Sequence, residues 1–189
     1  MRRIGILGDI GSGKSYIANS FGYPVFNADE EVAKVYKKDK KVFIKLKKVL
    51  PKYISSYPVN KDEISNAILI NKNNLKKIIK IVHNVVRKKL SLFLKKNKNK
   101  KVVILDIPLL LENKINKKND ILIFIHANKK KIFKKLKKRK NFNVKLFSVF
   151  KKIQLPLAYK KQKSNFIIEN NFTKKGIKRD INKILNKIL

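Results

Sequence analysis

The sequence predicts an α/β protein: a five-stranded parallel sheet flanked by helices, with ligands at the carboxyl ends of the strands. Three observations carry this. Five short apolar runs, Arg3–Leu7, Pro24–Phe26, Val102–Leu105, Ile121–Ile125 and Phe166–Ile168, punctuate the 189 residues. The longer ones are continuously apolar rather than alternating, as strands covered on both faces are. Helix-patterned segments separate them, and alternating elements argue a parallel sheet.

The first run leads directly into GDIGSGKS at residues 8–15, where three of the chain's six glycines stand. The spacing G-x-x-x-x-G-K-[ST] is a phosphate-binding loop. Gly8, Gly11 and Gly13 permit backbone angles that turn several N–H groups toward one anion, and the amides of Ile10 and Ser12 belong to the same nest. Lys14 reaches the β- and γ-phosphates of a nucleotide, and the Ser15 hydroxyl is a Mg²⁺ ligand. SYIANSF opens the helix that the motif requires. The chain therefore reads as a nucleoside triphosphate binder.

After the second run, Asp29 stands near a strand end. It is a candidate general base, or else an N-cap for the helix EEVAKVY. Residues 30–100 show helical periodicity in EEVAKVYKK, VFIKLKKVL and LKKIIKIVHNVVRKKLSLFL, broken by the turn-rich PKYISSYPVNKDE. This block is read as a helical substrate-binding insertion. His83 and Arg87 lie four apart in it, on one helix face, where both can meet phosphates. Asp106, directly after the third run, either holds Mg²⁺ through water or caps a helix. His126 ends the fourth run and is read as structural. Residues 128–163 form a second helical block with the basic run KKKIFKKLKKRK, read as a lid, and residues 174–189 pattern as a terminal amphipathic helix. The whole is one domain with its core in 1–29, 101–127 and 164–189.

Composition excludes other classes. There is no cysteine, hence no disulfide framework or thiolate chemistry. No apolar run approaches the ~20 residues of a membrane span, so a cytoplasmic protein is expected. The net charge of +37 invites a nucleic-acid reading, yet only five of the 49 basic residues are arginine, the residue preferred for bidentate recognition. Lysines spread evenly among Asn and Ile point to compositional bias. No specific nucleic-acid partner is expected, only non-specific attraction of polyanions. A GTPase is excluded, because NKDE at 60–63 and NKKND at 116–120 both miss [NT]-K-x-D and no D-x-x-G occurs. The size suits a small-molecule kinase.

Within that group the sequence resembles the dephospho-coenzyme A kinase family along nearly its whole length. The resemblance rests on GDIGSGKS, NAD at 27–29, HNVVR at 83–87, DIPLLLEN at 106–113, Arg139 in the lid block, QLPL at 154–157 with Lys160, and IIENNF at 167–172. It implies a phosphate-loop kinase that transfers the γ-phosphoryl of ATP, with Mg²⁺, to the ribose 3′-hydroxyl of dephospho-coenzyme A. Asp29, Lys14 and Arg139 would be catalytic, and Asn170 would join the loop in binding ATP. Asp29, His83, Arg87, Pro108 and Leu109 would bind the acceptor, and Ser15 and Asp106 the metal. Asp9, Asn27, Asn84 and Phe172 depart from the family pattern. A kinase of nucleosides or nucleotides, or a non-catalytic RNA-associated descendant, are the alternatives.

Overall fold

The computed structural model describes residues 1–139 and 142–189; the part of the lid block at 140 and 141 lies outside the described residues. The elements run β1 (Arg2–Gly8), α1 (Lys14–Ser20), β2 (Val25–Asn27), α2 (Ala28–Lys38), α3 (Lys40–Val49), α4 (Lys61–Ile70), α5 (Asn73–Lys96), β3 (Val102–Asp106), β4 (Ile121–His126), α6 (Lys129–Lys137), α7 (Val144–Lys152), α8 (Leu157–Gln162), β5 (Phe166–Glu169) and α9 (Lys174–Ile188). The five strands form one parallel sheet in the order β2-β3-β1-β4-β5. β3 thus lies between β1 and β2.

The chain divides into two compact units. One comprises Met1–Asn27, Lys96–Phe142 and Ile153–Leu189; the other comprises Ala28–Lys95 and Asn143–Lys152.

The first unit is built on the sheet. All five residues of β3 and the last six of β1 are buried, which is why both read as continuous apolar runs. β5, at the edge, buries only Ile168 fully. Ile4, Ile6, Ile104, Ile123 and Ile125 meet Ile17 and Ala18 of α1 and the stripe Ile177, Ile181, Ile184 and Ile188 of α9. That stripe recurs at three and four residues, so its lysines stay in water. At the opposite end of β1, Arg3 donates to Asp120 Oδ2 at 2.9 Å and to the Ile115 carbonyl at 3.2 Å, anchoring the turn before β4.

The second unit is helical. Its capping explains its punctuation: the Asp39 carboxylate accepts from the Val42 N–H at the start of α3, and Asn60 accepts from the Asp62 N–H at the start of α4. The turn-rich break therefore ends earlier than its composition suggests, because Lys61, Asp62 and Glu63 already belong to α4. Glu63 reaches back to accept from the Ser55 hydroxyl at 2.6 Å and from the Ser55 and Ser56 amides, closing the loop on itself. α5 buries Leu75, Ile78, Val82, Val86 and Leu90 along one side, and Lys89 on α5 meets Glu31 of α2 at 3.3 Å.

Candidate active site

The loop between β1 and α1 is shaped by its glycines. Gly11 and Gly13 have φ of 81° and 92°, in the left-handed region that disfavours side chains. Space forbids them too: a Cβ on Gly13 would collide with the Asn170 amide, and one on Gly11 would lie 3.0 Å from Ile132 and Leu136. The Lys14 ammonium folds back over the loop, donating to the Asp9 carbonyl at 2.7 Å and the Gly8 carbonyl at 3.3 Å. Ser15, next along, is exposed. Asp9, the carboxylate that breaks the family pattern, is buried and accepts from the Ile10 N–H at 2.8 Å. One amide near the anion nest is thereby turned to an internal partner.

Asn170 supports this loop from beneath. It is 2% exposed. Its amide donates to the Ser12 carbonyl at 2.8 Å, and its carbonyl oxygen accepts from the Phe172 N–H at 2.7 Å. Its side chain thus acts on the loop backbone. Phe172 has φ of 62°, which accounts for the family's glycine there: the left-handed conformation costs a residue with Cβ roughly 1–2 kcal/mol. Part of this is offset by the Lys135 ammonium, 3.9 Å from the ring centroid, a contact worth about 0.5–1 kcal/mol at an exposed position.

The role of α6 was not legible as such. Ile132 and Leu136, one helical turn apart, are its buried residues, and both face Gly11. The loop therefore has α6 on one side and Asn170 beneath. The signal was the pairing of a small loop residue with an i, i+4 apolar pair, but which helix meets which glycine is a tertiary fact. Arg139 lies beyond the helix, which ends at Lys137; it is exposed in the following turn, where its N–H donates to the Leu136 carbonyl.

Asp106 ends β3, is 2% exposed, and accepts from the Asn27 amide at 3.1 Å. The chain then turns irregularly over residues 108–114, so no helix follows for Asp106 to cap. Pro108 and Leu109 are half-buried on this turn. Among the described residues no three His, Asp or Glu side chains converge as they would to hold a metal ion. One buried strand-end carboxylate and one exposed hydroxyl do suit Mg²⁺, which takes one or two protein oxygens and completes its shell with phosphate oxygens and water. His126 pairs with Glu169 at 2.7 Å across β4 and β5, an exposed contact between neighbouring strands.

In the second unit, Asp29 is exposed in the first turn of α2, with Glu30 and Glu31 beside it. Three acids there complement the helix dipole. Lys34 donates to Glu31 at 2.6 Å and, with Lys89, holds that carboxyl below its usual range against the opposing effect of burial. His83 is half-buried on α5, and Arg87 is exposed one turn on. Burial, then the Arg87 charge, lower the His83 pKa, favouring the neutral ring.

A parallel sheet in this order, flanked by helices and with a phosphate loop after β1, defines a phosphate-loop kinase. The fold is shared with a Thermus thermophilus crystal structure (TM-score 0.77, 22% identity, 100% of this chain and 98% of that one). It is also that of dephospho-CoA kinase from Campylobacter jejuni (TM-score 0.64, 20% identity, 99% and 97%). The sequence pattern of the dephospho-CoA kinase family matches residues 2–175, and the chain belongs to that family. Among relatives, the dephospho-CoA kinase of the Wolbachia of Brugia malayi is 33% identical over 98% of this chain and 97% of its own length. That of Bartonella quintana is 30% identical over 100% and 99%. The activity is thus ATP-dependent phosphorylation of dephospho-CoA, in coenzyme A biosynthesis.

Proposed function

We propose that the residues singled out above divide this phosphoryl transfer as follows. The loop at residues 8–13 cradles the phosphates of ATP through amides other than that of Ile10, which the Asp9 carboxylate holds, and Lys14 neutralises the charge that develops on the transferring group. Arg139 adds a second cation to those phosphates. Asp29 orients the ribose 3′-hydroxyl and accepts its proton as the O–P bond forms and ADP leaves. His83 and Arg87 bind the acceptor's phosphates, with Pro108 and Leu109 against its less polar parts. Ser15 and, through water, Asp106 would hold Mg²⁺, which would supply charge neutralisation to the phosphates. Asn170 serves ATP binding by bracing the loop, as its bond to the Ser12 carbonyl supports.

The observation that carries the reading is the loop itself: left-handed glycines braced from below, with one lysine across its opening. The evenly spread lysines draw in anionic substrates and bind polyanions without sequence preference. No described helix is long and apolar enough to cross a membrane, which supports a cytoplasmic site of action.

Asp29→Asn tests the assignment most directly, since it keeps size and removes the proton acceptor. Turnover falls about 10²–10⁴-fold, the usual span of general-base catalysis, while ATP affinity stays nearly unchanged. A fully active variant moves the base elsewhere, with Asp106 next in line.

A further inference from the structure

Lys160, on α8, is 1% exposed, an unusual place for an ammonium. Its Nζ lies 2.7 Å from Glu112 Oε1 and donates to Gln154 Oε1 at 3.3 Å. The same Glu112 oxygen accepts from the Leu155 N–H at 2.9 Å, and the second, Oε2, is buried with no hydrogen-bond partner among the described residues. One carboxylate thus joins two segments distant in sequence, the turn after β3 and residues 154–160. α8 in turn packs on β1, the strand that leads into the phosphate loop.

Such a pair is a poor way to gain stability. Desolvation of both ions consumes most of their attraction, and apolar side chains of similar volume do as well or better. What the pair provides is register: a buried ammonium admits one placement of its carboxylate, whereas an apolar contact tolerates sliding. Glu112 sits three residues after Leu109 and four after Pro108, on a turn whose own backbone bonds, such as Leu110 N–H to the Ile107 carbonyl and Asn113 N–H to the Leu109 carbonyl, are irregular and do not fix it against the rest of the unit. We propose that Glu112, clamped by Lys160, is a positioning residue for the acceptor, fixing the turn that presents Pro108 and Leu109 to dephospho-CoA. This rests on the reading of that turn as an acceptor-binding segment.

The test is steady-state kinetics on the whole chain, varying dephospho-CoA and ATP separately, for Glu112→Gln, the double variant Glu112→Leu/Lys160→Met, and Leu109→Ala, with Tm for each. The expected result is an acceptor KM raised about 10-fold in both Glu112 variants, with the ATP KM within about 2-fold of the parent. The double variant regains the Tm that Glu112→Gln loses, because no unpaired ion is left buried, yet keeps the acceptor defect. An acceptor KM that recovers together with Tm makes the pair merely structural and overturns the proposal; so does a rise in Leu109→Ala alone. No rise in any variant overturns the acceptor-segment reading and the proposal together.

Discussion

The Asn27 amide donates to the Asp106 carboxylate at 3.1 Å, tying the carboxyl ends of β2 and β3. The family pattern has an acid at position 27. Asn27→Asp would place two carboxylates at hydrogen-bond distance with one buried, and like charges so close raise the pKa of one of them. A raised folded-state value means the folded chain takes up a proton that the unfolded chain does not, so stability is gained as pH falls through that value. Without divalent cations, the Tm of Asn27→Asp should rise relative to the parent as pH is lowered from 7 to 5. Superimposable Tm–pH profiles would show that the two side chains are not coupled.

Lys14 lies across the loop on the carbonyls of Gly8 and Asp9. It is only half-buried and bonds the loop backbone rather than the core, so Lys14→Ala should fold with a parent-like circular dichroism spectrum. Turnover should drop at least about 10²-fold, as for removal of a preorganised electrostatic group. Near-normal turnover in the folded variant is incompatible with the role given to the loop.

Asn170 satisfies the Ser12 carbonyl and the Phe172 N–H, one on either side of its side chain. Asn170→Ala leaves a buried carbonyl unpaired, at a cost of about 1–3 kcal/mol. The loop loses its brace, and ATP affinity measured by calorimetry should fall about 10-fold. Asn170→Asp keeps the acceptor and removes the donor, and should behave like the alanine variant. ATP affinity unchanged in both would mean that the loop holds its shape without this brace.

His83 supplies a pH dependence with a definite sign. Its pKa is lowered by burial first and by Arg87 second. Stability from the neutral ring is therefore complete above the unfolded value of about 6.5 and is lost as pH falls through the lower folded value. Proton NMR of the ring should show titration below the free-histidine range. Arg87→Gln should move it only part of the way back, since burial remains. A midpoint at or above the free value contradicts the environment described for this side chain.

How much was legible beforehand differs from element to element. All five strands were found to within a residue or two at each end: β1, β3 and β4 are buried on both faces and need unbroken apolar runs, and the edge strands β2 and β5, each with one fully buried residue, are short apolar runs between helical segments. GDIGSGKS was legible as a glycine-shaped loop between β1 and α1, since its glycines act through the local backbone, but not the capture of the Ile10 amide by Asp9 nor the helix packed on Gly11. Where α4 begins was misread: Lys61, Asp62 and Glu63 look like turn residues, and only the Asn60 cap and the apolar side of α4 make them a first helical turn.

Motif spacing could pick out Asn170, Glu112 and Lys160 but not say what each touches. Asn170 lies far along the chain from Ser12, and only the placement of β5 two strands away from β1 brings its amide under the loop. Lys160 is one lysine among many in the sequence. It becomes distinct when α8 lies on β1 and buries its ammonium against Glu112 and Gln154. Sequence determined the elements and the phosphate chemistry, because periodicity and loop glycines are local. Tertiary structure decided which polar groups share a buried partner, because desolvation depends on everything packed around a group and no short stretch of sequence encodes it.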